Sequence, residues 1–360
     1  MSEQRPRVYI IIINYLTCAD TVECLESVLK NTYPDYRVIV VNNNAADNDL
    51  QCLLEWAGGK REFVSDNSGL VGKLTSPPCA KPVGCVLYTR EQAENGGDEK
   101  KERDMNSKVV FIDAGSNGGY AAGNNIGIKY ALAKDDFEYV WLLNNDTVIK
   151  SDSLQKLVET AVKKKACNIK TGMIGPKLMY YDRPDIINGV AGLYNKWSGT
   201  GKLLGAFQRD SGQFDRDDIV PDYVSGAAML ASKDFIKETG LLNEEYFLYY
   251  EEIDWAIRGL KNGYSNGYCH ESVVYHKEGA TIGSSSRGKK KSEKADFYGV
   301  RNRLLFTRKY YPGYLWSVYL SMILVIINRV LRGQFSRVKM ILNIVFGTKG
   351  TVPDKGGTKI

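Results

Sequence analysis

Three short stretches combine residue types that do chemistry with places where a fold would present them. The first is Trp141-Leu142-Leu143-Asn144-Asn145-Asp146-Thr147, where an apolar run stops on polar residues and a carboxylate. An Asp just past a strand is a common turn former or helix cap. It is also the oxygen ligand that a Mg²⁺-type cation uses, because such ions take one or two carboxylates and complete their shell with substrate phosphates. The second stretch is Tyr249-Tyr250-Glu251-Glu252-Ile253-Asp254-Trp255. Three acids in a first turn suit the helix dipole, and Asp254 can pair with Arg258 at i,i+4. The tyrosines ahead of them could shield a carboxylate, raise its pKa and make it a general base. The third is His276, one of two histidines, which follows the apolar run Ser272 to Tyr275. A single His there is more often structural than a ligand, but Asp146 and the acidic helix start supply the company a cation site needs.

The elements that must position these residues read as an α/β fold. Tyr139 to Leu143 has the continuous apolar character of a buried parallel strand, and ligands of open α/β sheets bind beyond the carboxyl ends of such strands. Val8 to Ile13 is a second central strand ending at Asn14-Tyr15. A helix capped by Asp20 follows, then a strand, Tyr36 to Val41, ending at Asn42. A strand-helix-strand unit of this length implies a right-handed crossover, so Asn14 and Asn42 face the same crevice. They serve there either as turn formers or as hydrogen-bonding partners of a base or ribose, and spacing does not choose between the two. Asp47 to Ala57 reads as a helix and Arg61 to Val64 as a short strand. Asp66 to Lys108, with Pro77-Pro78, Gly96-Gly97 and a charged run, reads as a long insertion in which only Cys85 to Tyr88 resembles a strand.

Order resumes at Val109 to Ile112. A glycine-rich turn, Gly115-Ser116-Asn117-Gly118-Gly119, then leads into a helix through Lys134. Glycines between a strand and a helix let backbone N–H groups approach a ligand closely, and a helix N-terminus favours anions. The GxGxxG spacing of a dinucleotide site is absent. A helix from Ser151 or Asp152 to Lys164 follows, then a strand, Met173 to Met179, hairpins over Gly189 to Gly205, and a strand, Val220 to Ala231. Phe297 to Tyr310 is helical. The apolar stretch Tyr314 to Asn328 is shorter than the roughly 20 residues a span requires, so it reads as a buried or interfacial helix. With Arg329, Arg332, Arg337 and Lys339 after it, the segment could grip a membrane surface, or pack on the catalytic domain.

With 360 residues, 43% hydrophobic and 25% charged, the chain can bury a sizeable core. No signal-like segment precedes the first strand, and seven scattered Cys without a CxxC pair argue against zinc ribbons and disulfide scaffolds; both fit a reducing cytoplasm. The net charge of +6 is mild, with part of the excess at Arg287 and Lys289 to Lys291. No recognition helix, zinc knuckle or basic-aromatic platform is visible, which argues against nucleic acid as a partner. A nucleotidyltransferase should show a glycine-rich phosphate loop with a basic residue near the first strand, and Asn14 to Asp20 has neither.

Taken in order, the strand ending at Asn14-Tyr15, the VVNNN strand end, SNGGYAAGNN before a helix, LLNNDT, the span from GLLNEEYF through EEIDWAIR, and HKEG resemble the inverting family 2 glycosyltransferases. Within that family they are most similar to the rhamnosyltransferase-like branch. The resemblance covers about residues 8 to 310, apart from the insertion. It implies a GT-A fold, a Rossmann-like mixed sheet flanked by helices. It also implies a catalytic domain over residues 1–292, with the insertion at about 66–108, and a helical C-terminal region over 293–360.

The resemblance further implies residue roles. LLNNDT matches the DxD region, so Asp146 would bind Mg²⁺ or Mn²⁺ on a nucleotide diphosphate, with Asn144 and Asn145 lining the sugar and nucleotide. Only one acid of that motif is present. Asn14, Tyr15, Asn42, Asn117 and Asn124 would surround the nucleoside, with the backbone at Gly119 close by; the family usually has Asp where Asn42 stands. EEIDW matches the motif that supplies the general base, with Glu252 first and Asp254 second, and His276 matches the late histidine that helps hold metal or diphosphate. The implied activity is a hexosyltransferase of the EC 2.4 class that moves a sugar from a nucleotide-sugar donor, dTDP-rhamnose or a UDP-hexose, to a saccharide or lipid-linked acceptor. The other reading of the same fold is a non-catalytic sugar-nucleotide or glycan-binding module. Both accommodate a monomer or a homo-oligomer, in the cytoplasm or at the inner face of the cell membrane.

Overall fold

A computed structural model describes residues 5–44, 48–216, 218–278 and 292–347. Within them the long apolar runs form the middle of one mixed sheet. β1 (Val8–Asn14) pairs in parallel with β2 (Tyr36–Asn42) across the helix α1 (Cys18–Val28). After α2 (Asp49–Ala57) and α3 (Leu70–Thr75), β3 (Cys85–Thr89) forms the sheet edge. The short helices α4 (Arg90–Glu94) and α5 (Glu99–Asp104) lead to β4 (Val109–Asp113), which pairs in parallel with both β3 and β2. The chain then crosses through α6 (Gly119–Lys134) to β5 (Tyr139–Asn144), on the far side of β1. Strand order therefore reverses about β1, and the crevice beyond β1 and β5 is the topological switch point where α/β sheets bind ligands.

The remaining strands extend the sheet: β6 (Thr147–Ile149), and, after the helix α7 (Ser153–Ala166), β7 (Thr171–Tyr180) with the short β8 (Ile187–Gly189) against it. A separate hairpin is built from β9 (Ala191–Asn195) and β10 (Thr200–Leu204). β11 (Ala228–Ser232), the helices α8 (Lys233–Thr239) and α9 (Glu251–Lys261), and β12 (Ser265–His276) complete the sheet-bearing unit. The sheet order is β3-β4-β2-β1-β5-β11-β7-β12-β6. One face is covered by α6 and α9 through Ile126, Tyr130 and Trp255; the other by α1, α2 and α7 through Leu25, Trp56 and Leu157. Three helices end the described chain: α10 (Glu293–Tyr310), α11 (Leu315–Leu331) and α12 (Phe335–Val345). Buried Asp296 of α10 ties them together by accepting from Arg329 and Arg337.

Several sequence expectations change. Asp66 to Lys108 is ordered rather than one long loop, and its charged run is α5, capped by Asp98. Glu102 explains this, because its carboxylate is buried and meets Arg37, Lys134 and Tyr130. Arg61 to Val64 forms no strand. The strand expected over Val220 to Ala231 is confined to Ala228–Ser232. Cys18 and Cys52 form a disulfide that joins α1 to α2, a pairing the scattered cysteines did not suggest, though one bridge is not a disulfide scaffold. The apolar C-terminal helix is longer than its sequence suggested. With the turn Pro312–Tyr314 it runs through Leu331, 20 residues, long and apolar enough to cross a membrane. The basic stretch at Arg287 and Lys289 to Lys291 lies outside the described residues.

Candidate active site

The crevice floor is built from the ends of β1 and β2. Parallel register places Asn14 beside Asn42. The Asn14 amide donates to Asn42 Oδ1 at 2.7 Å and to Asp49 Oδ2 at 3.1 Å, and its oxygen accepts from Thr21 Oγ1 at 2.6 Å. Asn145 continues this network, its amide donating to the hydroxyls of Thr17 and Thr21 at 2.7 and 2.9 Å. Asn14, Asn42 and Asn145 are thus brought together as a buried hydrogen-bonded platform, with Tyr15, Asn144 and Asp49 partly exposed at its margin.

The glycine-rich turn flanks the platform. Asn117 accepts from the Gly119 amide at 2.9 Å and from Asn43 at 3.2 Å. Gly119 has φ +85°, and a Cβ there would lie 2.2 Å from the Phe247 carbonyl, so only glycine allows the approach. Asn124 is buried, its amide donating to the Tyr120 carbonyl at 3.1 Å.

Asp146 and His276 meet because β12 ends antiparallel to β6, with His276 opposite Thr147. His276 Nε2 lies 3.3 Å from Asp146 Oδ1, and both side chains are nearly buried. The turn carrying Asp146 is closed by Thr147 Oγ1 donating to the Asn144 carbonyl at 2.6 Å, and the Lys277 amide donates to the Asp146 carbonyl at 3.0 Å. Burial alone would raise the Asp146 carboxyl, but the charge and hydrogen bond of His276 outweigh it and hold the group low. The same pairing raises His276 against the lowering effect of its burial. His276 Nδ1 faces Asn188 Oδ1 at 3.4 Å, which orients the ring. Behind it, the Lys277 ammonium bridges Asp20 and Glu23 at 2.5 and 2.6 Å.

The acids of α9 separate into two environments. Asp254 is fully buried and saturated, accepting from Tyr246, Tyr310, Lys309 and Arg258. Those donors outweigh its burial and keep it ionised. Glu251 is 1% exposed, and its Oε1 lacks a hydrogen-bond partner among the described residues. Burial, then the adjacent Glu252 charge, push its carboxyl well up. Glu252 is partly exposed, and burial pushes it up to about 7. The charges of Glu252 and Glu251 act on Tyr120, whose hydroxyl donates to the Gly226 carbonyl at 2.6 Å. Gly226 leads into Ala227, whose carbonyl accepts from the Asn144 amide at 2.9 Å. The segment 225–227 therefore joins the carboxylate pair to the end of β5.

The backbone delivering Glu251 and Glu252 is strained, with positive φ at Phe247, Tyr249 and Tyr250. Buried Asn302 of α10 holds it, donating to the carbonyls of Tyr246, Leu248 and Tyr249 at 2.8, 2.8 and 3.1 Å. Sequence reasoning missed Asn302, Tyr120, Asp49 and Lys277. Two of them carried a signal: Lys277 beside His276 in HKEG, and Tyr120 inside SNGGYAAGNN.

Asp146 and His276 fit a divalent cation as two converging oxygen and nitrogen donors whose remaining positions a diphosphate would fill. Among the described residues no group of three or more His, Cys, Asp and Glu is arranged to hold a metal ion, so such an ion would depend on the donor phosphates.

The mixed sheet with its switch-point crevice has GT-A architecture, and the crevice carries an acid-imidazole pair at one strand end, with a glutamate pair on the other side of residues 225–227. The chain belongs to glycosyl transferase family 2, whose model matches residues 9–74 and 88–235. It is similar to the low-salt glycan biosynthesis hexosyltransferase Agl10 of Haloferax volcanii, 23% identical over 252 residues that cover 69% of this chain and 70% of Agl10. Protein y4gI of Sinorhizobium fredii is 25% identical over 277 residues, which are 74% of this chain and 24% of y4gI. Among solved structures, the mannosyltransferase PcManGT from Pyrobaculum calidifontis, in complex with GDP-Man and Mn²⁺, aligns over 95% of this chain and 86% of its own at 11% identity and a TM-score of 0.47.

Proposed function

We propose that the chain is an inverting hexosyltransferase that moves a sugar from a nucleotide-diphosphate donor, dTDP-rhamnose or a UDP-hexose, to a hydroxyl of a saccharide or lipid-linked acceptor in cell-envelope glycan synthesis. The observation that carries this reading is the glutamate pair opening α9, in which Glu252 is pushed up to about 7 and remains partly exposed. A carboxylate with that affinity can take a proton at neutral pH, and ordinary surface glutamates cannot. Similarity to Agl10, a hexosyltransferase of glycan biosynthesis, supports the substrate class.

Glu252 accepts the acceptor hydroxyl proton as the oxygen attacks the anomeric carbon, and the bond from that carbon to the diphosphate oxygen breaks on the opposite side. The electron pair leaves with the nucleoside diphosphate, so configuration inverts in one displacement. Glu251 keeps its proton, which leaves one negative charge on the pair. The Asn14-Asn42 platform and Asn117 orient the nucleoside, and Asp146 and His276 would hold Mg²⁺ or Mn²⁺. That ion supplies Lewis-acid neutralisation of the leaving diphosphate.

The test is a donor panel (dTDP-rhamnose, UDP-glucose, UDP-galactose, UDP-N-acetylglucosamine) scored for Mn²⁺-dependent thermal stabilisation, then for transfer with the product anomer read by NMR. An inverted product from a stabilising donor supports the reading. Stabilisation by a donor without turnover on any acceptor makes the chain a sugar-nucleotide-binding module. A retained anomeric configuration overturns single displacement.

A further inference from the structure

Residues 293 to 346 carry nine Lys and Arg against two acids, in a chain whose net charge is only +6. One of those acids, Asp296, is neutralised internally by Arg329 and Arg337. The same segment holds a large share of the apolar surface the protein leaves in water. On α11, Trp316, Leu320, Ile323, Leu324, Ile327 and Leu331 are exposed, Leu324 by 69% and Leu331 by 81%. Their spacing traces one helical stripe. The opposite stripe, Val318 and Met322, is buried against Val300 and Leu304 of α10 and Ile341 of α12. Phe335 and Phe346 extend the exposed face onto α12.

The face is collared by aromatics from two parts of the chain. Trp197, at the tip of the β9–β10 hairpin and 54% exposed, sits with its ring 6.1 Å from Trp316 and 4.8 Å from Tyr314. Its carbonyl accepts from Ser317 Oγ at 2.8 Å, and exposed Lys196 lies over Tyr314 at 4.9 Å. Arg332 and Lys339 lie at the other end of α11 and on α12, both exposed. Aromatics and cations rimming an apolar helix match the water-lipid boundary, where indole and phenol rings sit at headgroup level and cations meet anionic lipids. Spanning is disfavoured although α11 is long enough. Its inner side is fastened by Arg303, which donates to Ser321, and by the Arg329–Asp296 pair, so a crossing would drag buried charges into hydrocarbon.

We infer that α11, α12 and the β9–β10 tip form one surface that lies flat on an anionic lipid bilayer. The same tip is bonded to the catalytic unit. The Tyr250 hydroxyl, one residue before the glutamate pair, donates to the Gly199 carbonyl at 2.6 Å, and Arg303 Nε donates to the Ser198 carbonyl at 2.6 Å. Docking therefore holds the start of α9 close to the membrane, where an acceptor carried in the lipid would present its hydroxyl. The docking itself is independent of the sugar-transfer reading.

Flotation of the full chain with phosphatidylcholine vesicles, with and without phosphatidylglycerol, tests this together with light scattering in lipid-free buffer. The wild type is expected to float with the anionic vesicles and to be released by high salt. Leu324→Glu and Trp197→Glu, both at exposed positions, are each expected to lower partitioning about tenfold, as loss of buried apolar area at the interface should. Unchanged melting temperature of the variants establishes that they fold. Flotation that survives Trp197→Glu overturns the composite surface. Resistance to carbonate extraction overturns flat docking in favour of a span. A dimer in buffer that Leu324→Glu dissociates, with no vesicle binding by the wild type, makes a second copy the occupant instead.

Discussion

Replacing Glu252 by Gln should abolish transfer and at the same time stabilise the protein, in a manner that depends on pH. A carboxyl moved from an ordinary 4.5 to about 7 disfavours the ionised native state by about 3 kcal/mol, at 1.36 kcal/mol per pH unit. Glu252 is partly exposed, so solvent reduces the observable share to about 1–3 kcal/mol. Below pH 4.5 both folded and unfolded chains hold the proton and the group contributes nothing. Between 4.5 and 7 the unfolded chain loses its proton first, so stability falls as pH rises, and above 7 the whole penalty is present. Glu252→Gln removes that penalty: urea denaturation should show it about 1–3 kcal/mol more stable than the wild type at pH 8 and nearly equal at pH 5. Transfer by the wild type should rise with pH and level off near 7. The variant should lose about 10² to 10⁴-fold in kcat with donor affinity kept. A variant that is no more stable at pH 8 than at pH 5, or that still transfers, refutes the assignment. Asp254→Asn is the contrasting case, because Arg258 and Lys309 would lose a buried partner; it should cost about 3 kcal/mol or more at both pH values.

Asp146→Ala should abolish Mn²⁺-dependent donor binding in calorimetry while leaving the fold intact; unchanged binding would remove Asp146 from the metal site. Reducing the Cys18–Cys52 disulfide, which closes a separation of 34 residues, should lower stability by about 4 kcal/mol on the chain-entropy model; equal denaturation midpoints with and without reductant would show that the bridge does not form in solution. Asn302→Ala should lower kcat more than it raises the donor KM, because it frees three carbonyls of the turn before Glu251 and leaves the nucleoside platform untouched. Loss of about 2 kcal/mol of stability should accompany it, and a purely structural role would leave the kcat-to-KM balance unchanged in the folded fraction.

The middle of the sheet was legible because β1, β2, β4 and β5 are buried on both faces and therefore read as unbroken apolar runs. The edge was legible only in part. Its strand β3 did read as Cys85 to Tyr88, but α5 is a run of charges whose helix rests on Glu102 reaching Arg37, Lys134 and Tyr130. Those partners lie 28 to 65 residues away in the chain and carry no local pattern. The disulfide was hidden for the same reason: Cys18 and Cys52 open and continue two different helices, and only their packing brings the sulfurs together.

Within the site, the sequence singled out LLNNDT, EEIDW and HKEG and ranked Glu252 ahead of Asp254, but it carried no sign of what sets these acids apart. EEIDW presents three acids whose charges look alike on paper, and helical geometry separates them. Asp254 lies one turn from Arg258 on the buried side and meets Tyr310 and Lys309 of α10, which hold it as an anion. Among the described residues Glu251 and Glu252 receive no such side-chain donors, so burial outweighs the backbone hydrogen bond of each and raises their proton affinity. The difference is made by α10, a helix that begins some forty residues later and also supplies Asn302 to the strained turn. The environment of these acids thus depends on the C-terminal helices as much as on the sheet: α10 supplies donors to Asp254 and to the turn before Glu251, and among the described residues none to the glutamate pair.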